Sequence, residues 1–314
     1  MLHFDRLKLV ASSKLATNLN ASRFQETRKP DGTTIYKYTQ THPYSVYVSV
    51  NLTSDELVLE FSGKILQEEY PNLISVQNIQ KCLGNISNMD ICTFNIDSIM
   101  QEAEVYSCDV TKDIIVPVPM EKIKRHLKTC INNYDRWVME KYLNNGLCIH
   151  NSTKHQKYKK RLIIYDKSTE LSRNEDRDFL NSLSNKDVIL HYFKDKVRFE
   201  VNLTSKSQIR KCLGISDNKL LSVLHSEANP ILDMFDQTIT EKPIYSSQLN
   251  IYNKTEKLAL LEQCNFDLQA VEMRIRATSP KNSSIKRKME PYKQLLQDIQ
   301  KDYVGTINLR SLLA

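Results

Sequence analysis

The stretch Val197-Arg198-Phe199-Glu200-Val201-Asn202-Leu203 decides the fold. Its residues alternate strictly, with Val197, Phe199, Val201 and Leu203 on one face and Arg198, Glu200 and Asn202 on the other. That is the period of a β-strand with one buried side. Val105 to Ile114 (VYSCDVTKDI) reads the same way, with Ser107, Asp109, Thr111 and Asp113 sharing a face. So does Arg161 to Lys167 (RLIIYDK), where Arg161, Ile163, Tyr165 and Lys167 share one. If the three strands lie in one sheet, their polar faces gather Asp109, Glu200, Tyr165 and Lys167, and helices cover the apolar face.

Outward from these strands, the first hundred residues read mainly as strands and turns. Ile35 to Tyr38 is a short strand, and Tyr44 to Leu52 and Leu57 to Phe61 form a hairpin around a Thr-Ser-Asp-Glu turn. Ser75 to Leu83 reads as a helix capped by Gly84. Apolar residues Ile123, Leu127, Ile131 and Val138 recur at helical spacing, predicting a helix over Met120 to Tyr142. Glu170 to Leu183 also reads as helical, as does most of the chain from Gln208 onward, with a basic loop around Ser279 to Lys288. The fold class is therefore α+β, a curved, mainly antiparallel sheet with a helical C-terminal region. VSVNLTS (Val48 to Ser54) resembles FEVNLTS (Phe199 to Ser205), and IQKCLG (Ile79 to Gly84) resembles IRKCLG (Ile209 to Gly214). Either these mark two pseudo-symmetric halves, near 1–104 and 105–215, or common strand and helix sequences coincide. A catalytic domain over 1–215 and a helical, DNA-binding or accessory region over 216–314 are the expected domains.

The 314 residues carry a net charge of +7, which permits a polyanionic partner without requiring one. Seven cysteines with no CxxC read as reduced thiols, several in the core, rather than a zinc site. His150 and His155 read as solvated in a polar loop. No signal-peptide pattern or run of about 20 apolar residues occurs, so a cytoplasmic protein with no membrane partner is expected. Six glycines and no GxxxxGK[ST] or GxGxxG leave no glycine-rich nucleotide cradle.

Tyr165-Asp166-Lys167 with Glu170-Leu171 fits a YDKxxEL pattern, and Arg198-Phe199-Glu200 follows some thirty residues on. Cys108-Asp109-Val110-Thr111 lies upstream, and LEFSGKIL (Leu59 to Leu66) earlier still. In this order the motifs resemble the replication initiators of filamentous phages and related phage or plasmid proteins, and more distantly the Rep_trans plasmid initiators. The resemblance runs from about Leu57 to Gly214. Met89-Asp90-Ile91 also aligns to the acidic motif, but Asp90 has the more turn-like neighbourhood, which favours Asp109. Cys108 departs from the hydrophobic residue usual before that Asp. No His-hydrophobic-His triplet occurs, so the nickases that hold a metal with two such histidines are not matched.

The resemblance implies nicking and rejoining of origin DNA through a 5′-phosphotyrosyl link at Tyr165, in a bacterial host. A phenol with a pKa of about 10 needs help at neutral pH. Hard oxygen ligands suit Mg2+ or Mn2+, and Asp109 and Glu200 are the candidate ligands. Glu170 is a third carboxylate or general base, and Lys167 a cation that lowers the phenol pKa or binds phosphate. DNA-contact candidates are Lys122, Lys124, Arg125 and Lys128; the run with Lys154, Lys157, Tyr158, Lys159, Lys160 and Arg161; and Lys286, Arg287 and Lys288. Host helicase, host polymerase and a second copy of the chain are further candidate partners. A non-catalytic origin-binding protein and a plasmid-mobilisation relaxase are the competing readings.

Overall fold

The computed structural model describes residues 2–130, 137–143, 145–151, 160–241, 255–264, 268–279, 284–301 and 308–314. Twelve strands lie among them: β1 (Phe4–Ala11), β2 (Ala16–Thr17), β3 (Gln25–Arg28), β4 (Thr34–Gln40), β5 (Val46–Asn51), β6 (Glu56–Ser62), β7 (Thr93–Phe94), β8 (Glu104–Ile115), β9 (Trp137–Tyr142), β10 (Gly146–Asn151), β11 (Arg161–Asp166) and β12 (Lys196–Leu203). Ten form one open antiparallel sheet in the order β3-β4-β5-β6-β1-β8-β12-β11-β10-β9, and β2 and β7 form a small ribbon. The fold is α+β, as the alternation predicts.

The strand order contains an internal symmetry. β1 and β8 meet at the centre. After each of them the chain goes to a sheet edge and steps inward through four strands, β3 to β6 on one side and β9 to β12 on the other. The repeated helices, Ile79–Ser87 and Lys206–Leu213, follow β6 and β12 respectively, so IQKCLG and IRKCLG occupy matching places. The strand part of the sequence repeat does not, because it pairs β5 with β12 whereas the topology pairs β6 with β12.

β-Branched and aromatic residues drive the strands, and the apolar face of β12 is fully buried at Phe199, Val201 and Leu203. Helices Lys206–Leu213, Leu220–Leu224, Pro230–Thr238 and Leu309–Leu313 pack on the central strands. Phe199 meets Phe235 of the third helix with centroids 6.4 Å apart. Two of these helices have a local start signal. The Ser205 side chain accepts from Gln208 N–H, and Asn229 accepts from Leu232 N–H just before Pro230.

Three sequence expectations change. Of the predicted helix over Met120 to Tyr142, Met120–Cys130 is helical and Trp137–Tyr142 is instead edge strand β9, paired with β10; tertiary pairing overrides a weak 3.6 period there. Glu170 to Leu183 breaks into helix Lys167–Leu171, a 3-10 turn and helix Arg177–Asn181. Gly84 lies inside helix Ile79–Ser87 rather than at its end, whereas Gly214 adopts φ +65° as a true C-terminal cap.

The chain divides into two compact units. The first holds 1–124, 131–239 and 309–314; the second holds 125–130 and 240–308. The expected boundary at 215 thus falls inside the first unit. The second has its own core of Leu258, Leu261, Cys264, Val271, Ile275, Met289 and Leu295. All seven cysteines are free thiols, six of them buried. No described helix is long and apolar enough to cross a membrane.

Candidate active site

The register of β8, β12 and β11 fixes the site. Arg198 faces Asp113 on one side and Tyr165 on the other; Glu200 faces Thr111 and Ile163; Asn202 faces Asp109 and Arg161. Directly opposed residues point to the same face, so Asp109, Asp113, Arg198, Glu200, Arg161 and Tyr165 share it. Tyr165 is 4% exposed, and its hydroxyl donates to Glu200 Oε1 at 2.6 Å. Burial first, and then the Glu200 charge, push the phenol well above its ordinary value. Burial, followed by the Asp5 charge, pushes Glu200 up to about 8.

Lys167 reaches the site by a route other than strand alternation. β11 stops at Asp166, whose side chain accepts from Thr169 N–H and caps helix Lys167–Leu171. Lys167 is the first residue of that helix, 1% exposed, with Nζ 2.7 Å from Glu170 Oε2 and 5.6 Å from the Tyr165 ring centroid. Burial acts to lower the ammonium pKa, but Glu170, Tyr70 and Asp5 outweigh it and hold the proton. The Lys167 contact is an ion pair without hydrogen-bond alignment, so buried Glu170 Oε2 has no hydrogen bond among the described residues.

Arg198 is fully buried and anchors the centre. It pairs with Asp113 through two parallel bonds of 2.7 and 2.8 Å, and Nη1 donates to Asp5 Oδ1 at 2.8 Å. The Tyr70 hydroxyl also donates to Asp5, at 3.3 Å. Tyr70, Leu171, Phe179, Leu180, Leu183, Ile189 and Phe193 form an apolar cap. The Arg198 guanidinium lies 5.3 Å from the Phe193 ring centroid. The cap is why this polar strand face is not solvated.

Asp5 was missed by strand reasoning. It is the extra residue of a β-bulge, because Phe4 pairs with Val110 and Arg6 pairs with Asp109. The bulge puts neighbours Asp5 and Arg6 on one face. The signal in the sequence is the broken alternation of Phe4-Asp5-Arg6-Leu7. Burial opposes its ionisation, but Arg198, Lys167 and Lys64 draw its pKa below the ordinary value. Tyr70 came from a segment, Gly63–Asn72, that carried no strand or helix signal linking it to the sheet.

Asp109 is half-buried and accepts from Asn202 Nδ2 at 2.8 Å. Burial raises it to about 6, against that hydrogen bond, and Asp5 adds to the rise. Asp109 and Glu200 are diagonal neighbours across β8 and β12. Asp90 lies elsewhere, in a turn with φ +55°, bound by Asn20. Among the described residues no group of three or more His, Cys, Asp or Glu is arranged to hold a metal. Asp109 and Glu200 are hard oxygen donors, the donor type that suits Mg2+ or Mn2+.

The other side of Tyr165 is aromatic. Gly146 stands between Tyr142 and Tyr165 in the register, and the two rings meet across it with centroids 5.4 Å apart at 47°. A Cβ on Gly146 would lie 2.8 Å from Tyr165 Cβ and 3.0 Å from two carbonyl oxygens. The Tyr142 phenol is raised well above its ordinary value by burial, then by Glu200 and Glu170.

The remaining sequence candidates scatter. Arg161 is exposed on the Tyr165 face and Lys160 is partly buried beside it; Lys154, Lys157, Tyr158 and Lys159 lie outside the described residues, as does His155. His150 is not solvated: it sits in β10, buried, with Nε2 3.1 Å from Glu140 Oε2. Lys122 is exposed and Lys124 pairs with Glu121, while the side chains of Arg125 and Lys128 are outside the description. Lys286, Arg287 and Lys288 are exposed in the second unit, on helix Ile285–Lys301.

No protein-family profile matches the sequence, and no curated protein matches it. Among solved structures the chain is similar to a rolling circle replication initiator protein from Geobacillus stearothermophilus. The two are 10% identical, the match covers 80% of this chain and 90% of that one, and the TM-score is 0.37.

Proposed function

We propose that this chain is a DNA strand transferase of the rolling-circle initiator kind, which nicks one strand and carries its 5′ phosphate on Tyr165. The observation that carries this reading is the 2.6 Å hydrogen bond from Tyr165 to Glu200, which joins the YDK strand to the RFE strand. As the phenol oxygen bonds to phosphorus, the phenol proton passes to Glu200 and the bond from phosphorus to the 3′ oxygen breaks. In its ionised form Glu200 is placed at hydrogen-bond distance to take that proton. Lys167, held by Glu170, places a fixed cation beside the phenol.

Asp109 and Glu200 would hold a divalent ion, whose chemistry is to neutralise the phosphate and stabilise the departing 3′ oxygen. The phosphodiester energy is kept in the tyrosyl link, so a free 3′ hydroxyl can prime synthesis and the attack can later be reversed. DNA is the partner; Arg161, Lys160 and the exposed cations Lys286, Arg287 and Lys288 are its backbone contacts in this reading, with Lys157 and Tyr158 candidates from sequence. Host helicase and polymerase, and a second copy of the chain, fit the same role.

The test is incubation with labelled single-stranded oligonucleotides tiling the replicon that carries the gene, in Mg2+ or Mn2+. A covalent protein–DNA adduct that disappears in Tyr165→Phe is expected. A second reading, a non-catalytic origin-binding protein, is favoured by one observation, the 4% exposure of Tyr165. Binding without an adduct in either metal would select it.

A further inference from the structure

Side chains cross the polar face of the sheet in rows, one residue from each strand. Arg198 and Tyr165 stand in one row, Glu200 and Ile163 in the next, and Asp109, Asn202, Arg161 and His150 in the row after that. The Tyr165 hydroxyl leaves its own row and reaches the second, because it donates to Glu200. Arg161 is one row further on. It lies two residues along β11 from Ile163, which is about 7 Å of strand. Successive phosphates of an extended single strand are separated by a step of the same order.

The polar neighbours of Arg161 in its row are already engaged. Asn202 donates to Asp109, and buried His150 has Nδ1 3.0 Å from the Asn151 carbonyl oxygen and Nε2 3.1 Å from Glu140. Nearby cations are engaged too: Arg198, Lys167, Arg6 and Lys8 each pair with a carboxylate. Arg161 is exposed and has neither an ion pair nor a hydrogen bond among the described residues. An arginine on a strand face is commonly just solvated, and exposure alone would say no more. Its place is what matters. A guanidinium with its fork uncommitted, suited to grip a phosphate through two parallel bonds, stands one row from the phenol oxygen.

We propose that Arg161 seats the phosphate next to the scissile one and so fixes the strand across the sheet while Tyr165 attacks. The inference rests on the strand-transferase reading and narrows its substrate. The strand is single and extended at the site, held at two successive phosphates, one over Glu200 and one at Arg161. Asn202 and His150, with their own bonds made, do not compete for the phosphate. A strand that lacks the phosphate on the Arg161 side is a poor substrate.

The experiment uses the full chain and a single-stranded oligonucleotide that carries the cleavage site. An uncharged methylphosphonate replaces one phosphate at a time on either side of the scissile one. Adduct rate is followed against oligonucleotide concentration for the wild type and for Arg161→Gln. In the wild type, one adjacent replacement should raise the half-saturating concentration by about tenfold, the scale for a charged hydrogen bond, and leave the maximal rate nearly unchanged. Arg161→Gln should show that rise with the natural strand and no further rise with the replacement. The log–log salt slope of its binding should be smaller by about 0.7, the value for one phosphate on a single strand. Arg161 is exposed and unpaired, so the variant keeps the fold, and a melting curve checks this. Losses that add when variant and replacement are combined, adjacent replacements without effect, or a variant that behaves as wild type would each overturn the Arg161 subsite and leave the strand transferase standing. Absence of any adduct with every strand would overturn both.

Discussion

Strands β6 and β12 hold the same place in their halves of the sheet, one step out from the centre, and present different polar faces. β6 offers Glu56, Val58, Glu60 and Ser62, and its Glu60 pairs with Arg6, an arginine whose side chain is 52% exposed. β12 offers Arg198, Glu200 and Asn202, and Arg198 is not exposed at all. The topology is shared, so topology does not make the site. The difference is the apolar cap of Tyr70, Leu171, Phe179 and Phe193 over the end of β12. Charges on a solvated strand are weakly coupled and screened; under a cap they must be fully paired, and each changes its neighbours' proton affinity.

The two halves can be set against each other by substitution. The largest contrast is in chemistry. Tyr165→Phe should lower adduct formation by about a thousandfold or more, the scale for loss of a nucleophile. Tyr47→Phe, on β5 in the matching position to β11, should change it little. An adduct assay on the two variants reads both. Next is stability. Arg198→Ala leaves Asp113 and Asp5 without their cation, and breaking a buried pair costs about 3–5 kcal/mol. Arg6→Ala on the open half should cost no more than about 1 kcal/mol. Urea unfolding of both proteins checks the difference; equal losses would mean that the cap is not what distinguishes the halves.

Glycines sharpen the comparison on a smaller scale. Gly146→Ala forces a Cβ to 2.8 Å from Tyr165, so a loss of about 1–3 kcal/mol is expected, with the two rings parted. Gly84 and Gly214 end the same hexapeptide pattern in opposite states. Gly84→Ala, in open space within a helix, should stabilise by about 0.5–1 kcal/mol. Gly214→Ala, at φ +65°, should destabilise by about 1 kcal/mol. Melting temperatures of the pair would show opposite signs.

The pH dependence is the mildest contrast. Glu200 and Asp109 have folded-state values raised to about 8 and about 6. Unfolded carboxyls titrate near roughly 4. A raised value means the folded state holds the proton more tightly, so this contribution is complete in acid and is lost as pH rises through 6 and 8. Glu200→Gln should flatten the upper part of that decline in a series of melting curves from pH 4 to 9. A wild-type curve no steeper than the variant's would remove Glu200 from the account.

Strand alternation in β8, β11 and β12 was enough to bring Tyr165 and Glu200 to one face, and the register then made them hydrogen-bond partners. Lys167 reaches that face by a different route: it enters by the helix that Asp166 caps. The rest was illegible because it depends on breaks in regularity. A period-2 reading cannot place Asp5, which sits on a bulge, and no local pattern ties Tyr70 to Arg198, 128 positions later. β9 was hidden because the apolar spacing that starts at Ile123 runs on to Val138, and only its pairing with β10 makes it a strand.

The bulge at Asp5 bears on how such a centre can arise. In a regular strand no change of residue type can put adjacent side chains on one face, since each position's side is fixed by its parity. One added residue does it at once. The acid beneath Arg198 is therefore a feature of chain length rather than of spelling. Deleting residue 5 should not merely remove a carboxylate; it restores parity in β1 and shifts Phe4 by one position against β8. Comparisons of such sheets that forbid gaps inside strands will misalign this position, and searches for its counterpart should look for one surplus residue, not for a conserved letter.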